Sequence, residues 1–297
     1  MIPDPIDRAF IRVGTEEVHL RRIDGTRAGR PLVLLHASPG SSRSLIGLMR
    51  ALHDHGAAAT LIAPDTPGNG DSFAPDVTDP DIGWFSDALL RLLDRMGVER
   101  ADLYGAHTGA RIACEAAAAH PDRFASAILD GIGDYAPEMR ELLLRDYAPE
   151  MAPDDYGRQF VWAFNFVRDQ ALHFPYFLRD PEHRLMSRPV PSAQELHAAT
   201  VEVLKSLTSY HKPYRAAFRY EAGPRMTDIT IPVMLLSPEN ELPNLRAATQ
   251  SLAARLAYGR VTPIGPTPGE KAAAILAFLK DAGVEDSGVE DSGARRS

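Results

Sequence analysis

Cysteine is nearly missing from the sequence, which contains one, Cys114, among 297 residues. A single cysteine cannot close an intramolecular disulfide, so the fold depends on its core for stability. The chain is long enough to bury a large core, as one big domain or as a domain with a substantial insertion. Cys114 lies on the apolar face of a predicted helix, which indicates a core residue rather than a catalytic thiol.

Long hydrophobic runs and basic clusters are missing as well. No apolar stretch approaches the roughly 18 residues of a membrane span, and the opening MIPDPIDRAF lacks the charged and apolar regions of a signal peptide. The formal net charge is −8 and the basic residues are scattered, which argues against nucleic acid and anionic membranes as partners. We therefore expect a cytoplasmic protein that binds a small-molecule substrate. The sequence leaves the oligomeric state open.

Apolar runs and helical patterns alternate from about residue 30 to 132, as in a parallel sheet with crossover helices. From about 134 to 225 the sequence is helical and rich in aromatic residues, proline and arginine, and strand patterns then return. We predict an α/β fold with a mostly parallel sheet of about eight strands and helices on both faces. Its core comprises 1–133 and 226–283, with a helical cap insertion at 134–225. From Gly283 the sequence repeats Gly-Val-Glu-Asp-Ser, and residues 284–297 are predicted to be a disordered tail.

The strands and helices are predicted from these patterns as follows. The strands are AFIRVG and EEVHLRRI as an antiparallel hairpin, then 31–37, 59–65, 101–106, 125–131, 231–237 and 259–265. The helices outside the insertion are about 41–55, 79–96, 108–120, 245–256 and 269–281.

Three motifs follow successive predicted strands. They are His36-Ala37-Ser38-Pro39-Gly40, then the DTPGNGDS turn at 65–72, then Gly105-Ala106-His107-Thr108-Gly109. Together they resemble the α/β-hydrolase superfamily over about residues 8–282, as its H-G-x-P oxyanion loop, its D-x-P-G-x-G-x-S turn and its G-x-S-x-G nucleophile elbow. The resemblance implies the α/β-hydrolase fold. It also implies structural roles for His36 and for Asp65, the first residue of the turn.

Serine is missing from the elbow, where His107 takes its place. The loop after the predicted eighth strand holds no histidine, since the last histidine of the chain is His211. The sequence therefore lacks both the nucleophile and the base of a serine acyl-enzyme mechanism. Epoxide- and haloalkane-cleaving relatives need an aspartate at the elbow together with the late histidine. Cofactor-free dioxygenase relatives and most cyanohydrin-lyase relatives also rely on the late histidine and fit poorly.

His107 is the predicted centre of the site. Its neighbours Gly105 and Gly109 are small, as a strained strand–helix junction requires. A helix N-terminus and a partly desolvated cleft both favour the neutral ring. A neutral imidazole can take a proton from water or from a carbon acid, or attack an acyl group directly.

Four further residues are predicted to complete the catalytic site. Asp130, at the end of the sixth strand, or Glu241, after the seventh, is expected to hold the other ring nitrogen of His107. The resemblance also implies an oxyanion hole formed by the amides of Ser38 and Thr108.

The insertion is predicted to supply substrate contacts. Two stretches, 160–177 and 209–220, combine aromatic with polar side chains at helical spacing, and the candidates are Trp162, Arg168, His173, Tyr210, His211 and Tyr214. Aromatic walls with arginines suit an aromatic or carboxylate-bearing substrate. Simple packing of the stripe and surface ion pairs are the alternative interpretations. No histidine pair has ligand spacing, so neither a metal nor a cofactor is predicted.

Three functions remain open on this reasoning. The first is His107-assisted hydrolysis of a small ester-, lactone- or ketone-type substrate. The second is a cofactor-free lyase, cyclase or isomerase, in which His107 abstracts a proton and the oxyanion hole stabilises an enolate. The third is a non-catalytic small-molecule binding protein that keeps the pocket.

Overall fold

An eight-stranded sheet runs through the computed structural model, which describes residues 5–27, 29–185, 190–239 and 241–290. The strands are β1 (Asp7–Val13), β2 (Glu16–Ile23), β3 (Leu32–Leu35), β4 (Leu61–Pro64), β5 (Ala101–Ala106), β6 (Phe124–Asp130), β7 (Val233–Pro238) and β8 (Gly259–Ile264). Their order is β1-β2-β4-β3-β5-β6-β7-β8. All adjacent pairs are parallel except β1 with β2 and β2 with β4. This confirms the predicted fold class, with the antiparallel hairpin at the sheet edge.

The helices outside the insertion match the sequence predictions to within a few residues, apart from the last one. They are α1 (Ile46–Asp54), α2 (Ile82–Arg95), α3 (Thr108–Ala119), α9 (Pro243–Ala253) and α10 (Pro268–Glu290). Local signals explain some of the boundaries: α2 begins where the Asp81 carboxylate accepts a hydrogen bond from the Trp84 N–H at 2.8 Å. None of the helices in the described part of the chain combines the length and apolar character needed to cross a membrane.

Helices cover both faces of the sheet because its central strands alternate between two apolar layers. On β5, Leu103 packs with the layer of α2 and α3, whereas the next residue, Tyr104, packs with the layer of α1 and α10. β3 is buried along its whole length, as expected for a strand covered on both faces. Cys114 lies in the first layer, fully buried, and burial raises the pKa of its thiol to about 12.

Residues between β6 and β7 form helices α4 (Pro137–Asp146), α5 (Arg158–Leu172), α6 (Ala193–Lys205), α7 (His211–Arg219) and α8 (Ala222–Met226). These helices share an aromatic core that is separate from the two layers of the sheet. The side chains at its centre include Tyr147, Phe166, Tyr210, Tyr214 and Phe218. We call this part of the chain the helical insertion.

The C-terminal helix is longer than predicted. α10 continues to Glu290, so the backbone of residues 284–290 is helical where the sequence predicts a disordered tail. This stretch contains no proline, and once a helix has formed, each added residue gains a hydrogen bond without requiring tertiary packing. The rest of the predicted tail, 291–297, lies outside the described residues.

The parallel strands bring the predicted site together at one edge of the sheet. β3, β5, β6 and β7 are neighbours and end at residues 35, 106, 130 and 238. Loops that follow parallel strands emerge on the same side, which is where open α/β sheets hold their ligands.

Candidate active site

The elbow at His107 has the strained geometry that its spacing predicts. His107 has φ 48° and ψ −102°, and it is the one non-glycine residue with positive φ in the described part of the chain. Such a conformation costs on the order of 1–3 kcal/mol. A Cβ on Gly105 would lie 2.2 Å from the Gly109 carbonyl oxygen, and one on Gly109 would lie 2.3 Å from that of Leu35. The two glycines therefore allow the chain to close around residue 107.

The His107 imidazole stands at the strand edge, with 42% of its side chain exposed. Its Nε2 lies 3.6 Å from Oε2 of Glu241. The other oxygen of this buried carboxylate accepts a hydrogen bond from the Leu242 N–H at 2.7 Å, which aims Oε2 at the ring. Gly131 leaves room for both groups, since a Cβ there would lie 2.6 Å from His107 Cε1 and 2.7 Å from Glu241 Oε2.

Asp130, the other candidate partner for the His107 ring, has different partners. Its Oδ2 accepts hydrogen bonds from the Tyr104 hydroxyl at 2.7 Å and from Lys271 Nζ. Its backbone carbonyl accepts the His107 N–H at 2.8 Å. Asp130 thus fixes the backbone of the elbow, and Glu241 is the carboxylate that pairs with the imidazole.

Lys271 and Tyr104 are site residues that sequence reasoning missed. Burial raises the pKa of Tyr104 well above its usual value, and the Asp130 carboxylate raises it further. Tyr104 is therefore a neutral hydrogen-bond donor. Lys271 lies in the first turn of α10, just after the loop where a hydrolase would carry its histidine. Its position just after this loop is the feature of the sequence that could have indicated Lys271 as a site residue.

His107 borders two cavities. The front cavity has a volume of about 200 Å³ and is lined by Ser38, Thr108 and aromatic side chains of the helical insertion. The rear cavity, of about 340 Å³, is lined by Asp130, Glu241 and Lys271 together with the loop after β8. The loop side chains facing the rear cavity are small, because Gly265, Pro266 and Pro268 stand there.

The predicted oxyanion residues both line the front cavity. Thr108 is the first residue of α3, where backbone N–H groups have no partner within the helix. The helix dipole adds partial positive charge at this point. Ser38 precedes a cis peptide bond to Pro39, and its hydroxyl accepts a hydrogen bond from Asn69 Nδ2 at 3.4 Å. Both residues thus face the cavity that the imidazole borders.

One of the six predicted substrate contacts, Tyr214, lines the front cavity. Its hydroxyl accepts a hydrogen bond from Gln170 Nε2 at 2.9 Å, and both residues line the cavity. Burial raises the pKa of Tyr214 well above its usual value. The aromatic wall continues through Tyr135, Phe174 and Phe218, which the sequence did not single out.

The structure places the other five predicted contacts in packing or pairing roles. Trp162 stacks on Phe166, with ring centroids 4.8 Å apart, and the buried Tyr210 donates its hydroxyl proton to the Pro149 carbonyl oxygen at 2.5 Å. Arg168 pairs with Asp169 at 2.9 Å.

The two histidines predicted as substrate contacts are also held within the helical insertion. The His173 backbone bridges to Arg184, and buried His211 lies 3.9 Å from a Glu150 carboxylate oxygen. These contacts correspond to the packing and ion-pair alternatives rather than to a cavity wall.

His36 and Asp65 hold the loops, as the resemblance implies. His36 Nε2 accepts a hydrogen bond from the Thr66 N–H, and its Nδ1 lies 2.9 Å from the Ala37 carbonyl oxygen. Burial lowers the pKa of His36, so its ring is neutral and Nδ1 donates. Asp65 accepts hydrogen bonds from the Ser42 and Asp71 N–H groups and pairs with His19.

Comparison with known proteins agrees with this architecture. Epoxide hydrolase A of Mycobacterium tuberculosis is 35% identical over 116 residues, covering 38% of this chain and 35% of that protein. The 2-hydroxymuconate semialdehyde hydrolase of Pseudomonas sp. strain CF600 is 28% identical over 138 residues, covering 46% of this chain and 44% of that protein. The chain thus spans less than half the length of either curated relative.

Solved structures resemble the whole fold. The crystal structure of epoxide hydrolase A from Mycobacterium thermoresistibile matches with a TM-score of 0.70 and 22% identity, over 93% of this chain and 98% of that one. A family model for the alpha/beta hydrolase fold matches residues 30–195, more than half of the chain. The chain therefore belongs to the alpha/beta hydrolase fold family.

Proposed function

We propose that the protein is a hydrolase that uses His107, without a serine nucleophile, to cleave a small ester-, lactone- or ketone-type substrate. One observation carries this proposal. A half-exposed imidazole stands at the nucleophile elbow, backed by Glu241 at 3.6 Å and facing a cavity that the two candidate oxyanion residues also line. The hydrolase names of the two curated relatives support the same class of reaction.

Glu241 determines which nitrogen of the His107 imidazole accepts a proton. When Nε2–H points at the carboxylate, Nδ1 keeps its lone pair and acts as the proton acceptor. The 3.6 Å separation is longer than a hydrogen bond. Such distances are common in ligand-free catalytic sites and shorten in the substrate complex. Glu241 is then the residue that stabilises the imidazolium as it forms.

The reaction on an ester proceeds by water addition. His107 Nδ1 takes a proton from water while the water oxygen bonds to the carbonyl carbon. The carbonyl oxygen becomes an oxyanion, stabilised by the N–H groups of Ser38 and Thr108. When the carbon–oxygen bond to the leaving group breaks, the imidazolium returns its proton to the departing alkoxide. The products are a carboxylic acid and an alcohol, and the ring is again neutral.

The helical insertion acts as a cap over this chemistry. Its aromatic side chains Tyr135, Phe174, Tyr214 and Phe218 line the front cavity opposite the elbow. Apolar walls exclude bulk water and strengthen the electrostatic effect of the amide donors. A volume of about 200 Å³ lies below the range of about 300–1,000 Å³ typical of drug-sized ligands. We therefore expect a substrate of small-metabolite size.

Isotope labelling of the product tests the proposal. A panel of aryl esters and small lactones is incubated with the purified chain in H₂¹⁸O, with His107→Gln as the matched control. We expect ¹⁸O in the acid product of the wild type and none above background with His107→Gln. Deuterium incorporation at carbon in a parallel incubation in D₂O, without ¹⁸O uptake from H₂¹⁸O, would instead assign the lyase, cyclase or isomerase chemistry. Recovery of only unchanged ligand bound to the purified protein would favour the binding protein.

A further inference from the structure

Arg111 is a buried cation in the wall of the front cavity. It lies on α3, four residues after His107, and 3% of its surface is exposed. Its Nη1 donates to the His107 carbonyl oxygen at 3.2 Å and its Nη2 donates to the Gly133 carbonyl oxygen at 2.7 Å. Its Nε has no hydrogen-bond partner among the described residues.

No carboxylate in the described part of the chain lies within ion-pair distance of Arg111. Its contacts include the two carbonyl groups and Tyr135, whose ring centroid is 5.6 Å from the guanidinium carbon. Burying a charge without a counter-ion is expensive, and buried guanidinium groups are normally paired. The other buried arginines include Arg21, which lies near Asp65. Arg111 therefore has no counter-ion among the described residues, and an anionic ligand can supply one.

The charge of Arg111 acts on the front cavity. Among the described residues that line this cavity, Arg111 is the one with a permanent charge, and Glu241 and Asp130 line the rear cavity instead. The remaining walls are largely aromatic or apolar. A site of this kind favours a ligand with one anionic group and a flat apolar body.

We propose that the front cavity binds a small aryl or alkenyl carboxylate and that Arg111 is the residue that selects its carboxylate. The guanidinium is anchored to the His107 carbonyl, so a carboxylate bound to it would lie close to the elbow. This inference deepens the proposed function and rests on it only in taking the front cavity as the place where substrate binds.

A matched pair of probes tests the selection directly. Phenylacetate and phenylacetamide have nearly the same shape and differ in charge. Their binding to the full chain is measured by isothermal titration calorimetry. We expect phenylacetate to bind the wild type about 10- to 100-fold more tightly, the difference of one charge-assisted interaction. This comparison needs no variant and is independent of any effect of mutation on folding.

Variants of Arg111 then test whether this residue causes the preference for phenylacetate over phenylacetamide. Arg111→Gln should bind both probes equally, and Arg111→Lys, which keeps the charge, should retain part of the preference. The control is Arg145→Gln, which removes an arginine whose side chain is 64% exposed and paired with Asp146. It should keep the full preference, and circular dichroism confirms that each variant is folded.

Three outcomes would overturn the inference: equal binding of the two probes by the wild type, an undiminished preference in folded Arg111→Gln, or no binding of phenylacetate up to about 10 mM. His107→Ala separates this inference from the proposed function. The preference for phenylacetate should persist in that variant. If His107→Ala also keeps hydrolytic turnover, the proposed function fails while the assignment of Arg111 stands.

Discussion

Gly131 provides the space that the His107 ring and the Glu241 carboxylate occupy, so Gly131→Ala should disable the site. The added Cβ would lie 2.6 Å from His107 Cε1, 2.8 Å from Nδ1 and 2.7 Å from Glu241 Oε2. Ordinary contacts between such atoms are about 3.5–4.0 Å, so the ring or the carboxylate must move by about 1 Å. A misplacement of this size in a catalytic group costs on the order of 100-fold in rate.

The effect of Gly131→Ala on stability has two sources. Gly131 has φ +72°, where alanine is less favourable than glycine by about 1–2 kcal/mol. Overpacking adds about 1–3 kcal/mol, moderated because the clashing atoms are the ends of side chains. The variant should therefore fold, with a melting temperature lower by roughly 4–10 °C.

Gly97→Ala is the matched control. Gly97 has φ +69°, almost the same backbone strain, and nothing lies within 4 Å of a Cβ built on it. Steady-state kinetics on a hydrolysed ester should show kcat reduced about 100-fold in Gly131→Ala and unchanged in Gly97→Ala. If folded Gly131→Ala kept the wild-type kcat, the position of the His107 ring would not matter to turnover, and the account of the site would be wrong.

Glu241→Gln should lower kcat by about 10- to 100-fold with little change in KM, and Glu241→Asp should recover part of the loss, because the carboxylate acts on the imidazolium as it forms. Lys271→Met should lower the unfolding free energy by about 1–3 kcal/mol because it leaves Asp130 with one donor. In denaturant unfolding, the double variant Lys271→Met with Asp130→Asn should lose less unfolding free energy than the sum of the losses in the two single variants. Asp65→Asn should cost about 3 kcal/mol at neutral pH. Burial acts to raise the pKa of Asp65, but hydrogen bonding, first that with His19, outweighs burial and lowers the pKa. Its contribution is therefore present above an unfolded pKa of about 3.9 and disappears as the pH falls below that value. Urea melts from pH 7 to 3 should show this acid dependence in the wild type and a flatter one in Asp65→Asn.

The sequence predicts the sheet well because its signals are local. Buried strands appear as unbroken apolar runs, and the glycines at 105 and 109 mark a junction that has room for no other residue. The motifs also place Ser38 and Thr108 at adjacent strand ends, since parallel strands deliver their loops to one edge. These inferences depend on spacing alone, which a sequence displays directly.

The partners inside the site depend on side-chain directions that a sequence does not display. Asp130 and Glu241 both follow strands next to the elbow, and the choice between them is decided by Lys271, which reaches Asp130 from 141 residues away. In the insertion, Trp162 and Tyr214 are both aromatic residues at helical spacing. Tyr214 faces the cavity whereas Trp162 packs on Phe166. The helical insertion buries aromatic side chains both in its own core and along the cavity, so hydrophobic periodicity does not separate the two groups.

The role of the His107 ring in turnover is tested most directly by removing the imidazole and then returning it. His107→Gly creates a gap at the elbow, and turnover of an aryl ester is measured with and without added imidazole, alongside ligand binding. The variant should still bind ligand, lose turnover by at least about 100-fold, and regain part of it in proportion to added imidazole. Wild-type turnover by His107→Gly without imidazole would show that the ring takes no part in the reaction.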